Sequence, residues 1–196
     1  MRMGEPKMSL DIGGKTLLQK TVENAISSKA EYINVVLNKD YKFLEEDLKN
    51  ISTNIIWNDD SNRGMSYSIA LGIRNSQHHT ENIMILLADQ PGITPELINR
   101  LISQHMRKNF LITQPRYLDG PGHPVIFNKV LFDELLKVTG DKGGREIIKK
   151  FHDQRQLMDV DFNQPMDLDT KENYQKYIKN EVNVYEQQNR RLKNES

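Results

Sequence analysis

The chain has 196 residues, 37% hydrophobic and 28% charged, with 27 cations against 27 anions, a mean hydropathy of −0.68 and no cysteine. That length suits one domain with its own core, no run approaches the roughly 18 apolar residues of a membrane span, and a balanced charge without a basic stripe argues against nucleic acid as partner. The lack of cysteine excludes disulfides, thiolate metal sites and cysteine nucleophiles, and fits a cytoplasmic protein.

The opening "MRMGEPKMSLDIGGKTLLQKT" does not read as a secretory signal, because no apolar run follows Arg2, Glu5 and Lys7. Thr16 is placed to cap a helix whose apolar face is Leu17, Leu18, Val22 and Ala25/Ile26. "YINVVL" (residues 32–37) is predicted as a buried strand, followed by a charged helix near 41–49 and a second strand, "NIIW" (54–57). A helix is expected after Gly64, and "NIMILLA" (82–88) is the strongest strand pattern of the chain. "ITPELINRLISQHM" reads as a helix with Thr94 as cap and Pro95 at the first helical position, where proline is well tolerated. "FLITQPRY" and "PVIF" are predicted strands, and "KVLFDELLKV" and "REIIKKF" predicted helices. "LMDVDF" is the last strand and "TKENYQKYIK" the last helix, with a polar tail over 181–196 expected to be flexible. Strand alternating with helix implies a doubly wound, mostly parallel α/β sheet forming one domain over residues 1–180. In such sheets ligands bind beyond the carboxyl ends of the strands.

Several of the residues just after strands carry useful chemistry. "LLADQPG" places Asp89 at the tip of the most apolar strand, where a carboxylate can hold Mg²⁺ against nucleotide phosphates; a turn before a helix reads the same pattern as well. Gly64, Ser66 and Ser68 surround a helix start, suited to a phosphate or a base edge, or simply to a capped helix. His123 sits in "DGPGHPVIF", and "GDKGGREII" offers Asp141 and Arg145 to an anionic substrate, or a polar loop closing on a helix. In "QPMDLDT", Asp167 and Asp169 stand two apart after the last strand and can share a face, with Thr170 capping the next helix.

Taken in order, Arg-Met-Gly-x-Pro-Lys, Gly-Met-Ser-x-Ser, Leu-Leu-Ala-Asp-Gln-Pro, Gly-His-Pro-Val-x-Phe, Gly-Asp-x-Gly-x-Arg and Asp-x-Asp-Thr resemble the MobA-like nucleotidyltransferases. The branch most similar is that of the molybdenum-cofactor cytidylyltransferases and purine-catabolism accessory proteins, and the resemblance runs from Arg2 to about Tyr177. It implies a nucleotide-diphospho-sugar transferase-like (Rossmann-like) fold. It also implies transfer of CMP from CTP to molybdopterin with release of pyrophosphate, for a molybdenum hydroxylase such as xanthine dehydrogenase.

By the same resemblance Lys7, with Arg2 and Gly4 beside it, meets nucleotide phosphates. Asp89 is the Mg²⁺ ligand, and Asp167 the second one with Asp169 as fallback. Ser66 and Ser68 fall where the family contacts nucleotide or the neighbouring loop, and His123 and the Asp141–Arg145 loop face the pterin phosphate. The family signature begins on a strand ahead of Arg2, so the resemblance implies a sheet whose first, central strand is missing and a chain truncated at its N-terminus. The alternative expectation is a remnant that binds nucleotide poorly or borrows a strand from elsewhere, for which the segment "EVNVY" (181–185) is a candidate. Two other functions share part of these features: a sugar-1-phosphate nucleotidylyltransferase, and a non-catalytic carrier that inserts the cofactor into its enzyme.

Overall fold

The computed structural model describes residues 6–76, 78, 80–107 and 110–179. The start signals act where the sequence places them. Thr16 Oγ1 accepts from the Gln19 amide and opens α1 (Leu17–Ile26), and Thr94 Oγ1 accepts from the Leu97 amide and opens α3 (Pro95–Met106). Between them lie β1 (Asn34–Asn38), β2 (Asn54–Asn58), α2 (Met65–Ser76) and β3 (Asn82–Ile85). The charged segment expected as a helix is a 3₁₀ stretch, Lys39–Leu48, kinked at Tyr41. After α3 come β4 (Ile112–Tyr117), β5 (Gly120–Pro121), β6 (Val125–Asn128), α4 (Phe132–Lys137), α5 (Arg145–Lys150) and β7 (Arg155–Asp159). A last helix, α6, covers 171–179; Thr170 Oγ1 accepts from the Asn173 amide at its start. The 181–185 segment lies outside the described residues.

The strands form two groups. β1 and β2 pair in parallel, Val36 opposite Ile56. The second sheet runs β3–β6–β4, with β7 parallel to β4 on its far side and β5 paired to the end of β4. Strand direction is therefore mixed, because β6 runs antiparallel to both β3 and β4. The reason is local: β4 turns back through Leu118 and Asp119 into β5, and a connection that short cannot carry the crossover a parallel neighbour requires.

Among the described residues no ladder joins β1 to β3. Helix α2 spans the interval, packing against β1 and β2 on one side and β3 on the other. β3 and its continuation to Ala88 are only half-buried along their whole length, although this is the most apolar strand pattern in the sequence. β4 and β6, flanked on both edges, are nearly all buried. An edge without a partner leaves both the ladder groups and the apolar side chains of β3 partly open.

Apolar faces pack on both sides of the larger sheet. Ile73 of α2, Phe132 and Leu135 of α4 and Ile147 of α5 meet Ile112 and Phe127 on one face; Leu97, Ile98 and Leu101 of α3 meet Tyr117, Ile126 and Met158 on the other. A smaller cluster unites Leu17 of α1, Ile12 and Leu168, with Tyr174 and Ile178 of α6 packed against it. That cluster brings the C-terminal acidic segment onto the start of α1, next to the end of β3. No helix among the described residues is long and apolar enough to cross a membrane.

Candidate functional site

The Asp89–Gly92 turn is held from beneath by polar groups of α1. Thr21 Oγ1 donates to the Ala88 carbonyl at 3.0 Å, and Asn24 Nδ2 donates to the Pro91 and Ile93 carbonyls at 3.1 and 3.0 Å. The Leu168 amide donates to the Asp89 carbonyl at 3.2 Å, so the Asp167–Asp169 segment lies directly along the turn. Leu168 is fully buried, and its two aspartate neighbours emerge on the opposite side, as alternation in an extended segment requires.

The two aspartates do different things. Asp169 accepts from the Lys7 ammonium, and so does Asp89, whose Oδ2 is 2.6 Å from Nζ. Asp167 Oδ1 instead accepts from Gln90 Nε2 at 2.7 Å, and its main-chain carbonyl accepts from Asn173 Nδ2. Lys7 is brought there by the 3₁₀ turn Lys7–Ser9, in which the Ser9 amide donates to the Pro6 carbonyl. Burial pulls its pKa down, but the hydrogen bonds and charges of Asp169 and Asp89 more than offset this and leave it above the ordinary lysine value. The other oxygen of Asp89, Oδ1, is buried and has no hydrogen-bond partner.

His123 stands on the β5–β6 side of the same end of the sheet. Its ring Nδ1–H donates to the Ile85 carbonyl at a long 3.4 Å, and its own carbonyl accepts from Tyr117 Oη at 2.5 Å. Burial pushes the imidazole below the usual histidine range; Asp167 and Asp89 pull it the other way, and the Arg145 charge adds to the lowering. Arg145, the first residue of α5, is exposed. The loop before it docks on the start of α2: the Met65 amide donates to Asp141 Oδ1 at 3.2 Å. Gly64 makes that docking possible, with a φ of +79° and no room for a Cβ, which would stand 2.5 Å from the Gly140 carbonyl carbon. Ser68 Oγ accepts from Asn58 Nδ2, whereas Ser66 is buried and its hydroxyl has no hydrogen-bond partner.

Lys7, Asp89, Asp169, Asp167 and His123 thus gather at the carboxyl end of β3, and Gly64, Ser66 and Asp141 gather at the α2 start. Arg2 and Gly4 lie outside the described residues. The supporting residues Thr21, Asn24, Gln90 and Asn173 carry no motif of their own. The one hint in sequence is that Thr21 and Asn24 are polar positions three apart, beside the apolar face of α1.

The donor set suits a hard divalent cation that keeps part of its hydration. Two carboxylates converge on one point, one of their oxygens is buried and unpaired, and no group of three or more His, Asp or Glu forms a closed cage among the described residues. Mg²⁺ is commonly held in this way, by one or two carboxylates with substrate phosphates completing the shell.

Residues 1–157 match the MobA-like NTP transferase domain. The chain belongs to that family. It is 25% identical over 158 residues to the purine catabolism protein PucB of Bacillus subtilis, covering 76% of this chain and 75% of PucB. It is 27% identical over 157 residues to nicotine blue oxidoreductase of Paenarthrobacter nicotinovorans, covering 76% of each. The crystal structure of Rv0371c from Mycobacterium tuberculosis H37Rv superposes with a TM-score of 0.83 at 26% identity, over 91% of both chains. The fold is that of the nucleotide-diphospho-sugar transferases, and the family is one of nucleotidyltransferases.

Proposed function

We propose that this chain is a Mg²⁺-dependent nucleotidyltransferase that transfers CMP from CTP to a molybdopterin-type cofactor. Its product would serve a molybdenum hydroxylase such as xanthine dehydrogenase. The observation that carries the chemistry is the convergence of Asp89 and Asp169 on the Lys7 ammonium, with Asp89 Oδ1 left without a partner. Support for the acceptor comes from the Gly-His-Pro-Val and Gly-Asp-Lys-Gly-Gly-Arg motifs and from the likeness to a purine catabolism protein.

An oxygen of the acceptor's phosphate monoester attacks the α-phosphorus of the nucleotide. The bond from that phosphorus to the bridging oxygen breaks, and pyrophosphate leaves with the electron pair. The attacking phosphate is already anionic near neutral pH, so no nucleophilic side chain is required. Asp89 and Asp169 would hold Mg²⁺, which supplies neutralisation of the phosphate charge. We assign this role to Asp169 in place of Asp167, because Asp169 converges with Asp89 on one point while Asp167 Oδ1 accepts from Gln90 Nε2. Lys7 would lie against the departing phosphates, and the α2 start with Ser66 and Ser68 would contact the nucleotide. His123, Asp141 and Arg145 would face the acceptor, and Arg145 is the exposed cation among them.

The test is pyrophosphate release from CTP, GTP or ATP with molybdopterin as acceptor. CTP-dependent release that requires the acceptor is the expected result. Release with a hexose 1-phosphate instead would reassign the substrate, and binding of cofactor without turnover of any nucleotide would leave the carrier function.

A further inference from the structure

The arrangement of Lys7 raises a question that phosphate binding does not answer, because in this structure the ammonium is committed to two carboxylates. An ammonium has three donors. One is spent on Asp89 Oδ2 and another on Asp169 Oδ1. A divalent cation held by the same two side chains would compete with the ammonium for these carboxylates. Without a cation, two carboxylates brought to one point repel each other. Something must offset that repulsion for the site to persist when empty.

The three groups are not anchored equally. Asp89 is fixed by the α1 props under its turn, and Asp169 by the buried Leu168 on one side and the α6 cap on the other. Lys7 rides on a three-residue 3₁₀ turn with no buried residue. If one of the three is to give way, the anchoring selects Lys7.

We propose that Lys7 is a resident stand-in for the divalent cation: its ammonium keeps Asp89 and Asp169 converged in the empty protein and is displaced when the cation binds. This rests on the assignment of Asp89 and Asp169 as the cation-holding pair. The charge balance gives it a consequence. With Lys7 in place the trio carries one net negative charge. A divalent cation in its stead neutralises both carboxylates and sets free a half-buried ammonium that has lost its partners. An anionic phosphate is the natural group to take it up. Cation and nucleotide therefore bind with positive coupling, and by linkage each raises the affinity of the other by the same factor.

The experiment uses Mn²⁺ as probe, with the free ion followed by electron paramagnetic resonance and no nucleotide present. Lys7→Met is expected to bind Mn²⁺ more tightly than wild type by roughly tenfold, within the range usual for coupled sites, and to show weaker coupling to added CTP. Asp89→Asn should abolish the Mn²⁺ binding in either background. In the wild-type protein, Mn²⁺ should raise the rate at which an amine-specific reagent labels Lys7, read by peptide mass spectrometry; this arm needs no variant to fold. Unchanged or weaker Mn²⁺ affinity in a folded Lys7→Met protein, or Lys7 labelling indifferent to Mn²⁺, overturns the proposal. Mn²⁺-dependent labelling in a protein that binds none of CTP, GTP and ATP would uphold the stand-in while refuting the transferase function, so the two fail separately.

Discussion

Nζ of Lys7 stands 2.6 Å from Oδ2 of Asp89, across 82 residues of sequence, and the same nitrogen reaches the carboxylate of Asp169. The contact joins the first described turn of the chain to the tip of β3 and to the segment before α6. Three distant stretches thus meet in one charge cluster, at the end of the sheet where α/β proteins bind ligands.

The division of labour between Asp167 and Asp169 can be measured. Asp89→Asn and Asp169→Asn should each lower turnover by about 10²–10³, the usual cost of removing one preorganised electrostatic partner. Asp167→Asn should cost much less, because an amide oxygen can still accept from Gln90 Nε2. Steady-state kinetics of the three variants decides, and a larger loss in Asp167→Asn than in Asp169→Asn would reverse the assignment.

Leu168 ties the acidic segment to the fold. Leu168→Ala removes a fully buried side chain from the cluster with Leu17 and Ile12 and should cost ~2–5 kcal/mol. Its neighbours Asp167 and Asp169 should lose their register on the Asp89 turn. Turnover below wild type at a temperature where the variant is still folded by circular dichroism is the expected outcome; full activity there would detach the anchor from the site.

Gly64→Ala tests the docking of the 140–145 loop. The residue has φ +79° and its Cβ would land 2.6 Å from Asp141 Oδ1, so either the loop lifts or the backbone strains. A penalty of ~1–3 kcal/mol is expected for such a conformation. In a chain of this size that lowers Tm by about 2–4 °C per kcal/mol, readable by calorimetry. An unchanged Tm would mean that the loop does not need this contact.

Much of this architecture was legible in the sequence because it is set locally. Thr16, Thr94 and Thr170 each bond the amide three residues on, so the helix starts follow from the chain itself. The placing of Asp89 follows from the apolar run that ends there. What could not be read depends on tertiary path. Spacing puts Asp167 and Asp169 on one face, and only the burial of Leu168 along the β3 tip decides that Asp169 meets Lys7 while Asp167 meets Gln90. The reversed direction of β6 depends on a tight turn at Leu118–Asp119. Likewise, "NIMILLA" is the strongest strand pattern in the sequence, and its half-burial arises from an edge that no described strand covers.

A pH dependence of stability follows from His105. It is buried, with Nε2 2.9 Å from Asn82 Oδ1, to which it can only donate, and Nδ1 2.8 Å from the Thr113 hydroxyl, which can donate to it when the ring is neutral. Burial holds its pKa below the ordinary 6.5. The unfolded chain therefore binds the proton more readily, so this contribution to stability is complete above about pH 6.5 and declines as pH falls towards the folded value. His123 shifts in the same direction, so the informative comparison is wild type against His105→Gln. Urea melts at pH 7.5, 6.0 and 5.0 should show a smaller pH dependence in the variant, and equal slopes would remove His105 from the account.

Whether a metal and a nucleotide meet at Asp89 is tested most simply by thermal unfolding with Mg²⁺ and each of CTP, GTP and ATP, in wild type and Asp89→Asn. A nucleotide at about 100 times its dissociation constant adds ~2.7 kcal/mol to the folded state, worth about 5–10 °C in Tm for a chain of this size. Such a shift is expected with one nucleotide, CTP, only when Mg²⁺ is present, and it should be lost in Asp89→Asn. If no nucleotide moves the wild-type Tm, or if Asp89→Asn responds as wild type does, the site described here is not where a metal and a nucleotide meet.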